Sequence, residues 1–317
     1  LTIECTCIEN GDTYTNEITL STTCVNTDKL NELEHFADGF AERVTKYSVL
    51  QFHRILDKIS EIPPNYKAWN LGLASGLACC GFTFLLGGGP VEMILTFFGA
   101  GVGMYVRKKL LERHITLLAN VAAGVAAACC TYLLLFKLLE VIFNVSSVHQ
   151  SGYICSMLFV IPGFPLITGG IDLAKLDLRS GLERITYALL IILMATITGW
   201  VVALLLHFSP ADFPELEMAP LLKMVIRIIT SFCGVYGFSL MFNSKRKMAA
   251  CAGVIGMIAN TTRLELIDFT PIPAGVAAFI GAMIAGLLAS AMKSKAGYPR
   301  ITLTVPSIVI MVPGMFL

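Results

Sequence analysis

Two stretches, 185–206 (ITYALLIILMATITGWVVALLL) and 272–292, each run past twenty residues without a single charged side chain. A helix needs about twenty apolar residues to cross the hydrocarbon of a bilayer. In lipid, only a helix or a closed barrel satisfies its own backbone polar groups. Stretches this long and this apolar leave few options other than transmembrane helices. The composition agrees: 14% of the 317 residues are charged and the mean hydropathy is +0.74, against about 25% charged in a soluble domain. The expected fold class is mainly α: a polytopic α-helical membrane protein.

Charge divides the chain. Residues 1–68 carry six Lys and Arg against eleven Asp and Glu, and the remainder carries seventeen against eleven. The acidic front reads as a small α/β domain. Residues 1–8 and 14–20 alternate around Glu9-Asn10-Gly11-Asp12, a hairpin signal. An amphipathic helix is expected over 28–44, and a second from Ser48, where Gln51 completes a capping box, to a stop at Pro63-Pro64. The chain opens on a strand pattern and ends in an apolar one, and it reads as a fragment: a front domain incomplete at its N-terminus and a second membrane module short of its fifth span. Of ten cysteines, Cys79-Cys80 and Cys129-Cys130 lie in apolar runs and Cys5-x-Cys7 alternates along a strand. None has zinc-site spacing with histidine, so they read as small buried hydrophobes and no metal or other cofactor is implied.

Spans are expected at 69–86, 91–106, 115–136, 153–168, 185–206, 221–242, 248–260, 272–292 and 301–317, with the second, fourth and seventh short for a simple crossing. Alternate connections 107–114, 170–184, 243–250 and 292–300 hold 4, 3, 3 and 3 Lys and Arg, whereas 87–90, 139–152, 207–219 and 259–271 hold 0, 0, 0 and 1. The positive-inside rule puts the first set, and with it the front domain, in the cytoplasm. Because these basic residues sit in short separate loops, nucleic acid is not an expected partner.

A repeat runs through the membrane part. Ala123-Gly124-Val125-Ala126-Ala127 returns as Ala274-Gly275-Val276-Ala277-Ala278, and Ile161-Pro162-Gly163 as Val312-Pro313-Gly314, both at an offset of 151. Five spans separate the copies, so the second copy crosses in the opposite sense, the five-plus-five inverted plan of many secondary transporters. The expected organisation is thus 1–68 as cytoplasmic domain, 69–206 as first module and 220–317 as second. Two matched halves of opposite orientation suit alternating access. The lack of a Walker-type loop points to an ion or proton gradient rather than ATP.

Met157-Leu158-Phe159-Val160-Ile161-Pro162-Gly163-Phe164-Pro165-Leu166, then Gly170-Ile171-Asp172-Leu173 and Ser180-Gly181-Leu182-Glu183-Arg184, resembles the hallmark stretch of the bacterial threonine/serine exporter family, and Tyr298-Pro299-Arg300, Pro306 and Val312-Pro313-Gly314 resemble its second module. The resemblance implies two five-span modules in an inner membrane. It also implies export of threonine and serine driven by the proton motive force, with dicarboxylates such as succinate as the alternative cargo known for two-subunit relatives.

Several residues follow as candidates. Pro162, Gly163, Pro165, Pro313 and Gly314 would break their helices near mid-membrane and free backbone groups to line a path, the alternative being simple packing kinks. Asp172 and Asp177, just beyond the first break, could carry the coupling proton or merely pair with Lys175 and Arg179 in solvent. Lys223 and Arg227, four apart on one face, could attract a carboxylate, pair with Glu140 and Glu92, or snorkel. Asn260 and Thr261, with Ser239 and Asn243, are uncharged candidates that membrane helices also use as interhelical hydrogen bonds. The implied partners are a small amino acid or dicarboxylate, protons and the lipid bilayer, with a homo-oligomer left open. An intramembrane enzyme would need paired carboxylates or a histidine metal cluster at membrane depth, and neither is visible. A structural or sensory membrane protein would have no use for two matched orientations.

Overall fold

A computed structural model describes residues 2–19, 25–143, 147–208 and 218–311. The chain starts with a hairpin, β1 (Thr2–Glu9) and β2 (Asp12–Thr19), paired antiparallel. Its two-residue turn puts Asn10 and Gly11 at φ 53° and 91°, the left-handed pair that matches strand twist. Cys5 and Cys7 are exposed on it, while Cys79, Cys129 and Cys155 are buried in the membrane part as small hydrophobes.

The helix expected over 28–44 is split into α1 (Thr27–Asp38) and α2 (Phe40–Arg43). Gly39, a weak helix former, breaks it, and the bend brings Phe40 to 5.0 Å from Phe52 of α3 (Val49–Ser60), ring to ring. The capping box forms as expected, with the Ser48 amide donating to Gln51 Oε1 at 2.8 Å.

The membrane part follows as α4 (Ala68–Leu85), α5 (Pro90–Glu112), α6 (Leu117–Phe143), a 3₁₀ segment (Ser147–Val160), α7 (Gly163–Ala174), α8 (Leu178–Leu205), α9 (Pro220–Met241), α10 (Arg246–Phe269), α11 (Ala274–Ala296) and α12 (Arg300–Val309). Among the described residues, five of these are long and apolar enough to cross a membrane, and a bent pair makes a sixth. The chain is a polytopic helical membrane protein. Two spans expected to be short are not: α5 has 23 residues and α10 has 24. Arg107 and Arg263, which mark those ends as loop in the sequence, lie inside helices, where Arg107 packs its stem against Gly124 and Arg263 is 8% exposed.

Lipid tails are as apolar as leucine, so these helices associate through close packing and hydrogen bonds rather than through the hydrophobic effect. Two cores result. Leu95, Val121, Val125, Tyr132, Phe136 and Tyr153 fill one, and Val235, Phe238, Met248, Leu303 and Ile310 the other. Helix α4 serves both, giving Leu71 and Cys79 to the first and Ala78 and Phe82 to the second. It crosses α9 antiparallel: a methyl on Gly81 would lie 2.6 Å from the Thr230 carbonyl oxygen, and one on Gly237 would strike the Ala74 carbonyl. Only glycine allows that approach. On one side α4, α5, α6 and the 3₁₀ segment pack on each other, and on the other α9, α10, α11 and α12 pack in the same pattern.

Helix α1 docks on the connection between α9 and α10. The Thr27 amide and hydroxyl donate to the Phe242 carbonyl at 3.0 and 2.9 Å, and Thr27 Oγ1 meets Ser244 Oγ at 2.7 Å. Asn65 and Tyr66 add bonds to Asn243 and to the Ser244 carbonyl. Lys245 pairs with Glu32 at 2.9 Å and Asp28 at 3.1 Å, which holds its ammonium above the ordinary lysine range, and Lys293 pairs with Glu34. The front elements therefore lie at the end of the bundle that carries these basic connections, here called the basic face.

Candidate functional site

The break comes at Pro162. Its φ of −82° and ψ of 59° form an inverse γ-turn, closed by the Gly163 amide donating to the Ile161 carbonyl at 2.9 Å. The 3₁₀ segment and α7 meet there at 64°. A 3₁₀ run of 14 residues is far longer than the usual three or four, and such stretches mark hinges or strain. The sequence leads one to expect free backbone at this break, yet the turn itself takes up the Gly163 amide. Pro165 is in the first turn of α7, where a missing N–H costs nothing. It therefore does not bend the span. Gly163 has no room for a side chain, because a methyl there would overlap Val309 of α12. The first break is thus seated against the second half of the bundle. Pro313 and Gly314 lie outside the described residues.

At the other end of α7, Asp172 Oδ2 is 3.0 Å from Arg184 Nη1 of α8, an ion pair without hydrogen-bond alignment. Asp177 caps α8, its Oδ1 accepting from the Ser180 amide at 3.3 Å. Neither pairs with Lys175 or Arg179; Arg179 instead reaches Glu183.

Lys223 and Arg227 form a network across the α9–α10 interface. Lys223 Nζ is 2.9 Å from Asp268, and Arg227 Nη1 is 3.0 Å from Glu265 and 2.8 Å from Asp268. The partners suggested by sequence, Glu140 and Glu92, are elsewhere. Glu140 pairs with Lys137 one turn away, and Glu92 is fully buried in the first turn of α5. Geometry explains the difference: α9 and α10 are adjacent antiparallel helices, which sets 223 against 268 and 227 against 265.

One turn deeper in the same interface, buried Asn260 donates from Nδ2 to Ser231 Oγ at 2.8 Å. Among the described residues its Oδ1 has no hydrogen-bond partner, nor has Thr261 Oγ1. Asn260 and Thr261 are neighbours in the chain but face different ways, Thr261 joining Glu265 and Phe269 along an open groove on α10. Ser239 and Asn243 belong to the basic face, where Ser239 bonds Ser244 and Asn243 bonds Asn26.

Sequence reasoning missed Arg263. Reading 259–271 as a loop made it a stray cation; in the structure it is a buried guanidinium whose Nη1 donates to the Met311 carbonyl at 2.6 Å. The signal that could have found it is the register of Asn260 and Arg263 with the apolar face of α10.

Comparison with known proteins gives these features a setting. The threonine/serine exporter family (ThrE) matches residues 1–207, and a second family described as "Threonine/Serine exporter, ThrE" matches 227–317. The chain is 30% identical over 200 residues to the "Probable succinate transporter subunit YjjP" of Escherichia coli (strain K12), covering 63% of this chain and 74% of that protein. The protein of the same name from Klebsiella aerogenes is 29% identical over the same shares. The "Pheromone-regulated membrane protein 10" of Debaryomyces hansenii is 22% identical over 333 residues, 96% of this chain and 31% of that protein. No solved structure matches.

Proposed function

We propose a function on one premise: the chain belongs to the threonine/serine exporter family, a family of transporters and not of enzymes. On that premise we infer that it exports threonine and serine by alternating access between two halves of opposite orientation. The proton motive force of a bacterial inner membrane drives the cycle, and the basic face and front elements are cytoplasmic. One observation carries the inference. Helices α4 and α9 pack antiparallel on each other, and each is surrounded by the same pattern of neighbours. Such an arrangement supports a duplicated unit inserted once each way up, with two states of similar energy. The turn at Pro162, held against α12, supports a path between the halves.

In this proposal Asp172 is the coupling carboxylate, because Asp177 already serves as a helix cap. Protonation would release Arg184 at the cytoplasmic mouth, so Asp172→Asn is expected to uncouple or stop export. The YjjP name favours a second cargo, succinate. Against it, the two cations suited to a dicarboxylate, Lys223 and Arg227, already have Glu265 and Asp268 for partners.

Efflux from exporter-deficient cells fed threonine, serine or succinate decides between cargoes. Falling internal threonine and serine, abolished by an uncoupler, is the expected result. Unchanged pools of both beside falling succinate would move the assignment to dicarboxylates, and efflux that persists without a gradient would remove proton coupling.

A further inference from the structure

Between α9 and α10 lies a polar patch larger than helix association requires. Arg227 and Ser231, one turn apart on α9, meet Glu265 and Asn260 of α10, and Arg263, one turn from Asn260, turns towards Gly281 of α11 and the end of α12. Arg227 is 8% exposed and Arg263 8%, and Asn260 is fully buried. Charges this deep are expensive in a membrane and are kept where they have a task. Three cations of the patch, Lys223, Arg227 and Arg263, are set against two carboxylates, Glu265 and Asp268. Both carboxylates are held by Arg227 and Lys223. Among the described residues, Arg263 pairs with no carboxylate. Its acceptor among the described residues is the Met311 carbonyl at the end of α12, and its buried Nε has no hydrogen-bond partner among them.

Unpaired buried polar atoms are costly, and two lie within one turn of α10 with no hydrogen-bond partner among the described residues: a cationic donor, Arg263 Nε, and a neutral acceptor, Asn260 Oδ1. A guanidinium suits a carboxylate, and an amide oxygen suits an ammonium or hydroxyl. One molecule offering a carboxylate and an ammonium side by side would satisfy both and cancel the surplus charge. We propose that Arg263 is the carboxylate anchor of the substrate site and that Asn260 Oδ1 receives the substrate's ammonium group. This rests on the export function proposed above and assigns its substrate contact. The acceptor at Asn260 is the specificity element, since it repels the second carboxylate of a dicarboxylate. In the conformer described, Arg263 holds the α12 end. Exchange of the Met311 carbonyl for a substrate carboxylate would loosen that end as cargo binds.

The test is equilibrium binding to the purified full chain in lipid nanodiscs, with three ligands: threonine, threoninol (no carboxylate) and 3-hydroxybutyrate (no ammonium). Arg263→Gln is expected to weaken threonine and 3-hydroxybutyrate by about tenfold or more, the loss that goes with one charged hydrogen bond, and to leave threoninol unchanged. Arg263→Lys recovers part of the loss. Asn260→Leu weakens threonine and threoninol and spares 3-hydroxybutyrate, which keeps the proposal testable should Arg263→Gln fail to fold. Wild-type threonine affinity in Arg263→Gln overturns the anchor, and so does an equal loss for all three ligands, which would mark a structural tether only. A wild-type chain that binds succinate in preference to threonine overturns the Asn260 assignment. If wild type exports threonine and Arg263→Gln exports it equally well, the anchor alone falls. If wild type exports none of threonine, serine and succinate, the export function falls with it.

Discussion

The two sides of the bundle share a packing pattern and differ in what they bury. Among the described residues, Glu92 is the one Asp, Glu, Lys or Arg side chain buried on the side built on α4 to α7, which bends sharply at Pro162. The side built on α9 to α12 buries Arg227 and Arg263 and binds carboxylates across α9–α10. It also receives the front elements, which are joined in sequence to the other side but dock on Phe242–Lys245. The packing pattern is therefore repeated while chemistry is divided: one side carries the sharp bend, and the other carries the buried cations and the docking surface.

Removing charge from the second side is the strongest way to break this comparison. Arg227→Met strands Glu265 and leaves Asp268 with Lys223 alone. Losing one partner of a buried pair typically costs about 3 kcal/mol or more, and the expected outcome is a clear loss of monodisperse protein on size exclusion, recovered in part by adding Glu265→Gln. Next is the shared crossing. Gly81→Ala forces a methyl to 2.6 Å from the Thr230 carbonyl and is expected to cost about 2 kcal/mol, as overpacking does, read as a lower melting temperature in detergent. Pro162→Ala leaves stability nearly intact but lets the γ-turn relax, and export is expected to fall about tenfold, as it does when site groups are misplaced. Export unchanged in Pro162→Ala would show that the bend is packing and not hinge.

Smaller effects are expected at the docked front. Thr27→Val removes the hydroxyl that bonds Phe242 and Ser244 and is expected to cost about 1 kcal/mol, measured as faster protease release of the first sixty or so residues. The weakest effect is that of pH. Lys245 is raised above the ordinary lysine value by Glu32 and then by Asp28. A raised lysine contributes fully below its unfolded pKa and loses that contribution as pH climbs through the folded one. Protease release is therefore expected to be flat through neutral pH and to rise only above the ordinary lysine range. Lys245 is half exposed, so the change is small.

Local rules made much of this legible in the sequence. The hairpin at Asn10-Gly11, the capping box at Ser48 and Gln51 and the uncharged cores of the spans all depend on near neighbours. So does the break at Ile161-Pro162-Gly163. What escaped was decided by residues far apart in the chain. Arg107 and Arg263 read as loop because a cation in lipid is costly, and only the neighbouring helices that cover them make their helices continuous. The partners of Lys223 and Arg227 depend on α9 lying antiparallel to α10, which no spacing along the chain specifies. Gly39 was too quiet a signal: one glycine inside an apolar periodicity, whose effect appears only once Phe40 meets Phe52.

Sidedness tests the account most directly. In a chain whose native cysteines are replaced, single cysteines at positions 109, 245, 88 and 271 are probed with an impermeant thiol reagent in right-side-out and inside-out vesicles. Two oppositely inserted halves predict that Lys109→Cys and Lys245→Cys react only from the cytoplasmic side, and Gly88→Cys and Pro271→Cys only from the other. Reaction of Lys109→Cys and Lys245→Cys from opposite sides would contradict it.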